Sequence, residues 1–391
     1  MLEARSRIVI LGAGFGGLTA ANMLRRGLSA KHQIVVIDKK DFFLMGIVNL
    51  WILAGNRRLE ESKISLSNLK NKGIEFLHDE VIQIDFHKNI VTTKLSKKIE
   101  YDYLILGLGV DFAIEQVNGF TENGGFNLYD VAQVPKLREK ILALKNGKLA
   151  ICITDIPYKC PPAPYEASLI IDDILTQSGI RDSIEMDLYT PTQIALPVAG
   201  PTISQNVINL LNGRNINFHP LHKLKRVSNE ELEFGNGTRM DYDVLIGIPP
   251  HKTPKMVTNC PGLLKAGEYW INVDKFTLRT NYEKVFAIGD ITEIKVNQNV
   301  AIPKAGIFAE AEAKVVSQQI IDEITNNNKS QNPRFDGKGY CFMEIGGKKA
   351  GYIFADFYNE PNPITKLETP SQELYEKKID FERSRLAEWL A

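Results

Sequence analysis

The stretch "RIVILGAGFGGLTAANMLRR", residues 7–26, is followed by "QIVVIDKKD", residues 33–41. Each begins with an apolar run typical of a buried strand, and a helical pattern lies between the two runs. Gly12, Gly14 and Gly17 form GxGxxG, and Asp38 lies 21 residues beyond Gly17. The glycines permit a tight turn and close backbone approach, and a helix that begins there presents unpaired N–H groups to a pyrophosphate. The stretch therefore predicts a dinucleotide-binding unit, with Asp38 hydrogen-bonded to a ribose hydroxyl.

Two further apolar runs extend this prediction. They are "YDYLILGLG", residues 101–109, and "KVFAIGDIT", residues 284–292. Each reads as a strand of the same sheet, and they end at Gly109 and at Gly289 with Asp290. Asp290 would bond the ribityl chain of a flavin, although an aspartate in a simple turn or helix cap is the alternative. The glycine fingerprint in the same chain favours the flavin.

The segment between these runs repeats the strand–helix–strand plan. "KLAICITDIP", residues 148–157, precedes a helix over 165–177 and a strand in "IEMDLYTP", residues 184–191. This second unit lacks both GxGxxG and an acid at the end of its second strand, so we expect no NAD(P)H site there. The fold class is α/β with tandem Rossmann-like domains and a small C-terminal α+β segment. The predicted boundaries are 1–110 with 265–334 for the FAD-binding domain, 111–264 for the second domain and 335–391 for the C-terminal segment.

Composition narrows the classes of function. The 391 residues carry no net charge, so nothing indicates nucleic acid as a partner. No apolar run is long enough to span a membrane, and the first strand starts six residues after Met1, which predicts no signal peptide and a cytoplasmic protein. None of the four cysteines has CxxC spacing, so no metal site is expected.

Cys160 stands in "YKCPPAPYE", residues 158–166, at the turn between the second unit's first strand and its helix. Prolines fix the backbone of this turn, and a thiol at a helix N-terminus has a lowered pKa. Glu166 could handle protons nearby. Cys341 begins the C-terminal segment, so one hypothesis is a redox-active Cys160–Cys341 pair over the flavin. The alternative is an isolated loop thiol at Cys160 and a half-buried strand residue at Cys341. Cys152 reads as a core residue and Cys260 as a turn residue.

Taken together and in order, "GAGFGG", "CPPAPYE", "AIGD", "IPKAG" and "GYCFMEIG" resemble the sulfide:quinone oxidoreductases and the related flavin subunits of flavocytochrome c sulfide dehydrogenase. The resemblance runs over nearly the whole chain, and CPPAPYE is its most specific block. It implies FAD, oxidation of sulfide, and Cys160 and Cys341 as the redox pair with Glu166 as a nearby acid or base. It assigns the following residues to the cofactor: Gly12, Gly14, Gly16, Gly17 and Asp38 at the adenosine end, with Gly109 in the strand beneath the nucleotide and Gly289, Asp290 and Lys304 towards the flavin.

The chain departs from these families in three respects. Residues 111–148 hold no cysteine, where many quinone-reducing members have a third one. The region after the second strand offers Phe42, Phe43 and Met45 in place of the cysteine that tethers FAD in the flavocytochrome subunit, so we expect noncovalent FAD. No histidine lies between residues 88 and 218, and we expect His219 and His222 at the surface.

A quinone acceptor requires contact with a membrane. The last helix, within residues 372–390, places Tyr375, Ile379, Leu386, Trp389 and Leu390 on roughly one side, although Glu382 interrupts them. This side could lie in a membrane interface or pack on the chain itself or on a second subunit of a homo-oligomer. Candidates for an aromatic quinone slot are Phe342, Phe354 and Phe357, which cluster near Cys341.

Three rival functions remain open at this point. A soluble sulfide dehydrogenase would pass electrons to a cytochrome, but the missing leader and missing tether cysteine count against it. A type II NADH:quinone reductase would need the second domain to bind NADH. A flavoprotein that binds persulfides without turnover is the third.

Overall fold

The computed structural model describes residues 5–265, 267–298, 300–326 and 333–391. Within these ranges the chain forms eight α-helices, named α1 to α8 in chain order: Phe15–Gly27, Val48–Ala54, Val134–Leu142, Ala163–Gln177, Gly200–Asn212, Lys255–Thr258, Gly306–Thr325 and Gln372–Leu390. Short 3₁₀ segments lie at Glu60–Ser62, Leu66–Lys72, Ile114–Gln116, Arg181–Ser183, Pro197–Ala199 and Gly289–Ile291.

The first sheet contains the glycine fingerprint. Its five strands are all parallel and lie in the order Val285–Ala287, Tyr103–Leu106, Arg7–Leu11, Gln33–Asp38 and Glu75–His78. The strand Tyr103–Leu106 thus lies between the fingerprint strand Arg7–Leu11 and the edge strand Val285–Ala287. Helices α1 and α7 pack side by side on this sheet, so the chain returns after a long insertion to complete the unit that it began.

The second sheet repeats this architecture. Its parallel strands lie in the order Phe126–Asn127, Val244–Ile248, Gly147–Ile153, Ile184–Tyr189 and Ile216–His219. The three central strands are buried along nearly their whole length, as is typical of a parallel sheet covered on both faces. The fold is therefore α/β with tandem Rossmann-like units, as the sequence predicts.

The remaining strands form small antiparallel sheets and pairs. Two three-stranded sheets flank the parallel sheets: Val81–Asp85, Ile90–Thr93 and Lys98–Glu100; and Leu224–Ser228, Glu231–Phe234 and Arg239–Asp241. The C-terminal sheet consists of Lys338–Glu344, Ala350–Asp356 and Ile364–Ser371. Phe42–Phe43 pairs with Ile64–Ser65, and Asp111–Phe112 pairs with His251–Lys252.

One helix boundary differs from the sequence prediction, that of α4. Helix α7 begins at Gly306, which packs closely on α1, since a Cβ there would lie 2.7 Å from the ring of Phe15. Helix α4 begins at Ala163, so Pro161 and Pro162 precede it and only Pro164 lies in its first turn. The end of the polar run after α7, residues 327–332, lies outside the described residues.

Candidate functional site

The glycine loop leaves open space in front of α1. Gly12 has φ +98°, and a Cβ on Gly17 would lie 1.8 Å from the carbonyl oxygen of Gly12, so both positions require glycine. Gly14 caps α1, and a Cβ there would meet no atom within 4 Å. Gly16 packs against Ile288. The loop therefore combines tight packing beneath it with an empty approach to the helix N-terminus, which is the arrangement a pyrophosphate needs.

Asp38 lies at the end of its strand as predicted, and its carboxylate holds the loop. One oxygen accepts the N–H of Ala13 at 2.6 Å, and the other accepts the N–H of Lys40 at 2.8 Å. Gly109, at the end of the neighbouring strand, has φ +65° and open space where a side chain would be. These positions line the same edge of the first sheet, at the carboxyl ends of its strands, where nucleotides bind in folds of this class.

Asp290 occupies the tight turn at the end of the strand Val285–Ala287. Its Oδ1 atom is buried and has no hydrogen-bond partner among the described residues, and burial raises the pKa of this carboxyl group. A buried polar atom without a partner costs free energy unless a ligand satisfies it. The ribityl hydroxyls of a flavin are donors of the kind that this atom requires, so the site fits FAD.

Lys304 binds the backbone of the Asp290 turn. Its Nζ atom donates to the carbonyl oxygens of Asp290 at 2.6 Å and Thr292 at 3.0 Å, and it lies 3.4 Å from the ring centroid of Trp270. Burial lowers the pKa of Lys304 to about 8. The carbonyl oxygen of Lys304 also accepts the N–H of Cys160 at 2.7 Å. One residue thus joins the flavin end of the site to the CPPAPYE turn.

Cys160 adopts a left-handed conformation, with φ +51°. The bond to Lys304 and a second bond from the N–H of Ala163 to the Cys160 carbonyl oxygen, 2.9 Å, hold it in this conformation. A non-glycine residue in this region is strained and persists only where its surroundings fix it, a feature that clusters at functional sites.

The electrostatics of the thiols correct one sequence prediction. Burial raises the pKa of Cys160 well above its ordinary value, and the charges of Glu166 and Cys341 raise it further, whereas Lys378 and Lys159 lower it. The pKa of Cys341 is raised to about 12, again chiefly by burial. The predicted lowering of the Cys160 pKa by the helix terminus is therefore wrong, because the cost of removing a thiolate from water outweighs the favourable effect of the helix N-terminus.

Cys160 and Cys341 are both free thiols and both partly exposed. They come from segments 181 residues apart in the sequence, yet the charge of Glu166 raises the pKa of both thiols, and Cys341 raises the pKa of Cys160. On one side of Cys341 lies an apolar cavity whose lining includes Pro161, Ile353 and Ala355. The structure thus brings the two predicted cysteines and Glu166 into one site.

Glu166 belongs to a buried ion network that the sequence did not indicate. Its Oε1 atom accepts from Nζ of Lys378 at 2.7 Å and from the backbone N–H of Glu344 at 2.8 Å. Lys378 also binds Oε2 of Glu344 at 3.0 Å, and Trp51 donates to the same oxygen at 2.9 Å. Burial raises the pKa of Glu166 although Lys378 opposes this, and the pKa of Lys378 is raised because its two carboxylate neighbours outweigh its burial.

Comparison with known proteins bears on the family and the fold. The family model for pyridine nucleotide-disulphide oxidoreductases matches residues 6–152. The mitochondrial sulfide:quinone oxidoreductase of Dictyostelium discoideum is 31% identical over 314 residues, which cover 77% of this chain and 68% of that protein. The sulfide-quinone reductase of Aquifex aeolicus is 26% identical over 92% of this chain and 86% of its own length.

The chain belongs to the sulfide:quinone oxidoreductase family. It is therefore an enzyme and a flavoprotein. A solved structure of the Aquifex aeolicus sulfide:quinone oxidoreductase has the same fold, with a TM-score of 0.86 and 24% identity over 97% of this chain and 90% of that one.

Within this family fold, side chains alternate along the strand Lys338–Glu344. Cys341 faces the apolar cavity, whose lining also includes Tyr340, and both Tyr340 and Phe342 lie towards helix α8. There Tyr340 stacks with Tyr352 at 5.1 Å, and Phe381 of α8 lies 6.1 Å from both Tyr340 and Phe342. Of the predicted quinone-slot residues, Phe342 belongs to this aromatic cluster. Phe354 is partly exposed on the same face, and Phe357 is buried against Phe308.

The end of the second sheet is filled by the protein's own side chains. Tyr189, where NAD-binding units have an acid, is buried and stacks on His219 at 4.5 Å and Phe234 at 4.6 Å. His219 forms a 2.7 Å contact with the buried Asp187, and His222 packs beside them. The expectation that these histidines lie at the surface is therefore wrong, since both are partly buried. Cys152 is a core residue as predicted, and Cys260 lies in a turn but is also buried.

The last helix of this family member packs on its own chain. Tyr375, Trp389 and Leu390 are buried, and Ile379 and Leu386 are partly buried against the core. Glu382, which interrupts the apolar side, is largely buried and lies 3.5 Å from Arg57. The structure thus agrees with the second interpretation of this helix, packing on the chain itself. No helix in the described ranges is long and apolar enough to cross a membrane.

A cluster beside Cys160 also escaped the sequence reading. Nζ of Lys159 lies 5.0 Å from the ring centroid of Phe112 and 5.5 Å from that of Tyr129. The N–H of Lys159 donates to Nε2 of His251 at 3.1 Å. Because Nε2 accepts, Nδ1 carries the proton and donates to the Pro249 carbonyl oxygen at 2.9 Å, and burial lowers the pKa of His251 to about 3. Spacing along the chain gave no signal for this cluster, whose members lie on four separate segments.

Proposed function

We propose that the protein oxidises hydrosulfide at Cys160 and Cys341 and that the electrons pass to a membrane quinone through noncovalently bound FAD. The observation that supports this most directly is the convergence of Cys160 and Cys341 beside a turn whose buried Asp290 Oδ1 atom has no hydrogen-bond partner in the described part of the chain. Membership of the sulfide:quinone oxidoreductase family supports the same substrates. When bound, FAD supplies a two-electron acceptor that a quinone can reoxidise.

The sulfur chemistry follows thiol–disulfide exchange. Hydrosulfide attacks one sulfur of a Cys160–Cys341 disulfide, which gives a persulfide on one cysteine and a thiolate on the other. A second hydrosulfide takes the outer sulfur and leaves as HSS⁻, so both cysteines are then reduced. Re-forming the disulfide releases one proton and two electrons. The sum is two HS⁻ giving HSS⁻, H⁺ and two electrons, with atoms and charge in balance.

The residues around the thiols serve this exchange. Lys378 lowers the pKa of both thiols and so favours the thiolate that each step requires. Glu166, whose pKa is raised, is suited to hold the released proton close to the sulfurs. The bond from Cys160 to Lys304 fixes one thiol relative to the flavin end of the site.

We assign the quinone to the aromatic cluster of Tyr340, Phe342, Tyr352 and Phe381. These aromatic side chains are all partly exposed. Tyr340 and Phe342 flank Cys341 in its strand, Tyr352 lies opposite Phe342 on the neighbouring strand, and Phe381 belongs to α8. The apolar side of α8 packs on the rest of the chain. If residues 372–390 contact a membrane, we therefore expect the contact to be made beside the exposed edges of these aromatic rings. We further propose a cytoplasmic protein that is peripheral on the membrane.

The domain division of the sequence analysis is part of the proposal. Residues 1–110 and 265–334 would form the FAD-binding domain, 111–264 the second domain with Cys160, and 335–391 the segment with Cys341. Pairing of Val285–Ala287 with Tyr103–Leu106 supports the discontinuous first domain.

Steady-state turnover tests the proposal. The FAD-loaded protein should reduce decylubiquinone with sulfide, and it should not do so with NADH, because the second unit lacks the groups that bind NADH. Cytochrome c replaces decylubiquinone in a parallel assay. Turnover with NADH instead of sulfide, or with cytochrome c but not quinone, would replace the proposal with one of its rivals.

A further inference from the structure

Glu312 lies in α7 beneath the turn that carries Asp290. Its side chain is only 2% exposed, and its Oε2 atom accepts the backbone N–H of Gly289 at 2.6 Å. Gly289 has φ +73°, and a Cβ there would lie 2.9 Å from Cβ of Ala309, one helical turn before Glu312. The turn therefore rests directly on α7, and Glu312 is the side chain that binds its backbone from below.

Glu312 and Lys304 fix this turn from two sides. Lys304 binds the carbonyl oxygens of Asp290 and Thr292, whereas Glu312 binds the N–H group one residue before Asp290. Since the free Oδ1 atom of Asp290 belongs to the same turn, its position depends on both contacts. A displaced turn would move that oxygen away from any ribityl hydroxyl.

We propose that Glu312 is a positioning residue for FAD, and that its carboxyl group holds the Gly289–Asp290 turn in place by accepting the N–H of Gly289. The inference depends on the flavin cofactor of the family and not on the sulfur chemistry. Measurements of FAD binding therefore test it independently of the proposed substrates.

The charge state of Glu312 makes the proposal sensitive to pH. Burial raises the pKa of Glu312 to about 8, and the charge of Asp290 raises it too, whereas the bond from Gly289 and the charge of Lys304 lower it. The titratable groups that face it are Asp290 in the turn, Lys304 before α7 and Tyr358 beyond the strand Ala350–Asp356. As the pH rises through about 8, the carboxyl group loses its proton and becomes a buried negative charge beside the Asp290 turn, so FAD should bind less tightly. Lys304, whose pKa burial lowers to about 8, loses its positive charge over the same pH range and contributes to this weakening.

Retention of FAD by the holoenzyme during ultrafiltration, from pH 6 to pH 9.5, tests this with three variants. Glu312→Ala loses the acceptor for Gly289 and should raise the Kd for FAD about tenfold at pH 7, the equivalent of about one hydrogen bond. Glu312→Gln keeps a neutral acceptor, so it should bind FAD like the wild type at pH 7 and lose less affinity than the wild type above pH 8, where the titration of Lys304 remains. Gln319→Ala, which removes another buried polar side chain of α7 that binds Thr277 and Pro333, controls for general loss of stability.

A pH profile of Glu312→Gln that matches the wild type overturns the proposal, and this measurement decides even if the alanine variant does not fold. Equal FAD loss in Glu312→Ala and Gln319→Ala overturns it as well, because the effect would then be one of stability alone. Rescue by glutamine, with wild-type affinity at pH 7 and a smaller loss of affinity than the wild type above pH 8, supports the proposal.

Discussion

The ammonium group of Lys378, in the last helix, lies 2.7 Å from a carboxylate oxygen of Glu166, the final residue of the CPPAPYE stretch 212 positions earlier. Both side chains are almost completely buried. The contact joins the C-terminal helix to the segment that carries Cys160, and Glu344, the second partner of Lys378, lies three residues beyond Cys341. The positive charge of Lys378 therefore stands between both thiol-bearing segments.

Lys378→Met should destabilise the protein and slow the alkylation of Cys160 and Cys341. Removing one member of a buried ion pair leaves carboxylates without a counter-charge, which costs about 3–5 kcal/mol. The pKa of Cys160 and of Cys341 should rise further, because Lys378 lowers both. Urea unfolding and the rate of iodoacetamide alkylation at pH 8 measure the two effects. Lys377→Met, at the neighbouring exposed position, is the matched control, and equal behaviour of the two variants would contradict the prediction.

Cys160→Ser and Cys341→Ser should each abolish reduction of bound FAD by sulfide, because either change removes the disulfide that hydrosulfide attacks. Stopped-flow absorbance of the oxidised flavin band follows the reaction. Cys260→Ser is the control, because it alters a buried thiol that is hydrogen-bonded to the Ile84 carbonyl oxygen. In this variant sulfide should reduce the bound FAD at the wild-type rate. Full activity in either of the first two variants would falsify the assignment of the redox pair.

Alkylation of Cys341 should rise with pH over an unusually wide range. Its pKa is about 12, so the thiolate fraction grows about tenfold per pH unit between pH 7 and pH 10, whereas an unperturbed thiol levels off above about pH 9. Peptide mass spectrometry after timed iodoacetamide treatment of the reduced protein gives the rate, and glutathione in the same tubes provides the reference. A plateau for Cys341 below pH 10 would contradict the raised pKa.

Phe381→Ala should weaken quinone binding without affecting the sulfur side. Phe381 meets the rings of Tyr340 and Phe342 edge-on, and its loss from the aromatic cluster should raise the KM for decylubiquinone by about tenfold, while the rate of FAD reduction by sulfide stays unchanged. Phe86→Ala removes a comparable stacked ring, paired with Tyr282, and should leave the KM unaltered. An unchanged KM in Phe381→Ala would move the quinone site elsewhere.

FAD should leave the protein on acid precipitation. The segment after the second strand has no cysteine to tether it, and Phe43 and Met45 there are buried in the core. Trichloroacetic acid should release yellow flavin into the supernatant, and gel electrophoresis of the pellet should show no fluorescent band. Flavin that stays with the pellet would indicate a covalent link through another residue.

Local patterns sufficed to predict the α/β fold and the glycine loop, because strand burial and glycine geometry are properties of short segments. Lys378, by contrast, reads as one more lysine on an amphipathic helix, and only tertiary packing places it beside Glu166 and Glu344. The thiol pKa was mispredicted for the same reason. A helix terminus is visible in sequence, but the burial that outweighs it depends on segments far along the chain.

The alternation of side chains along the strand Lys338–Glu344 has a chemical consequence if sulfide and quinone bind as proposed. Hydrosulfide is a nucleophile that adds directly to quinone rings when the two mix freely. With Cys341 directed to one face and Phe342 to the other, the thickness of a single extended backbone would keep hydrosulfide away from the quinone. The strand would thus act as a partition between an aqueous reductant and a lipid-soluble oxidant, which exchange electrons through the flavin but never meet.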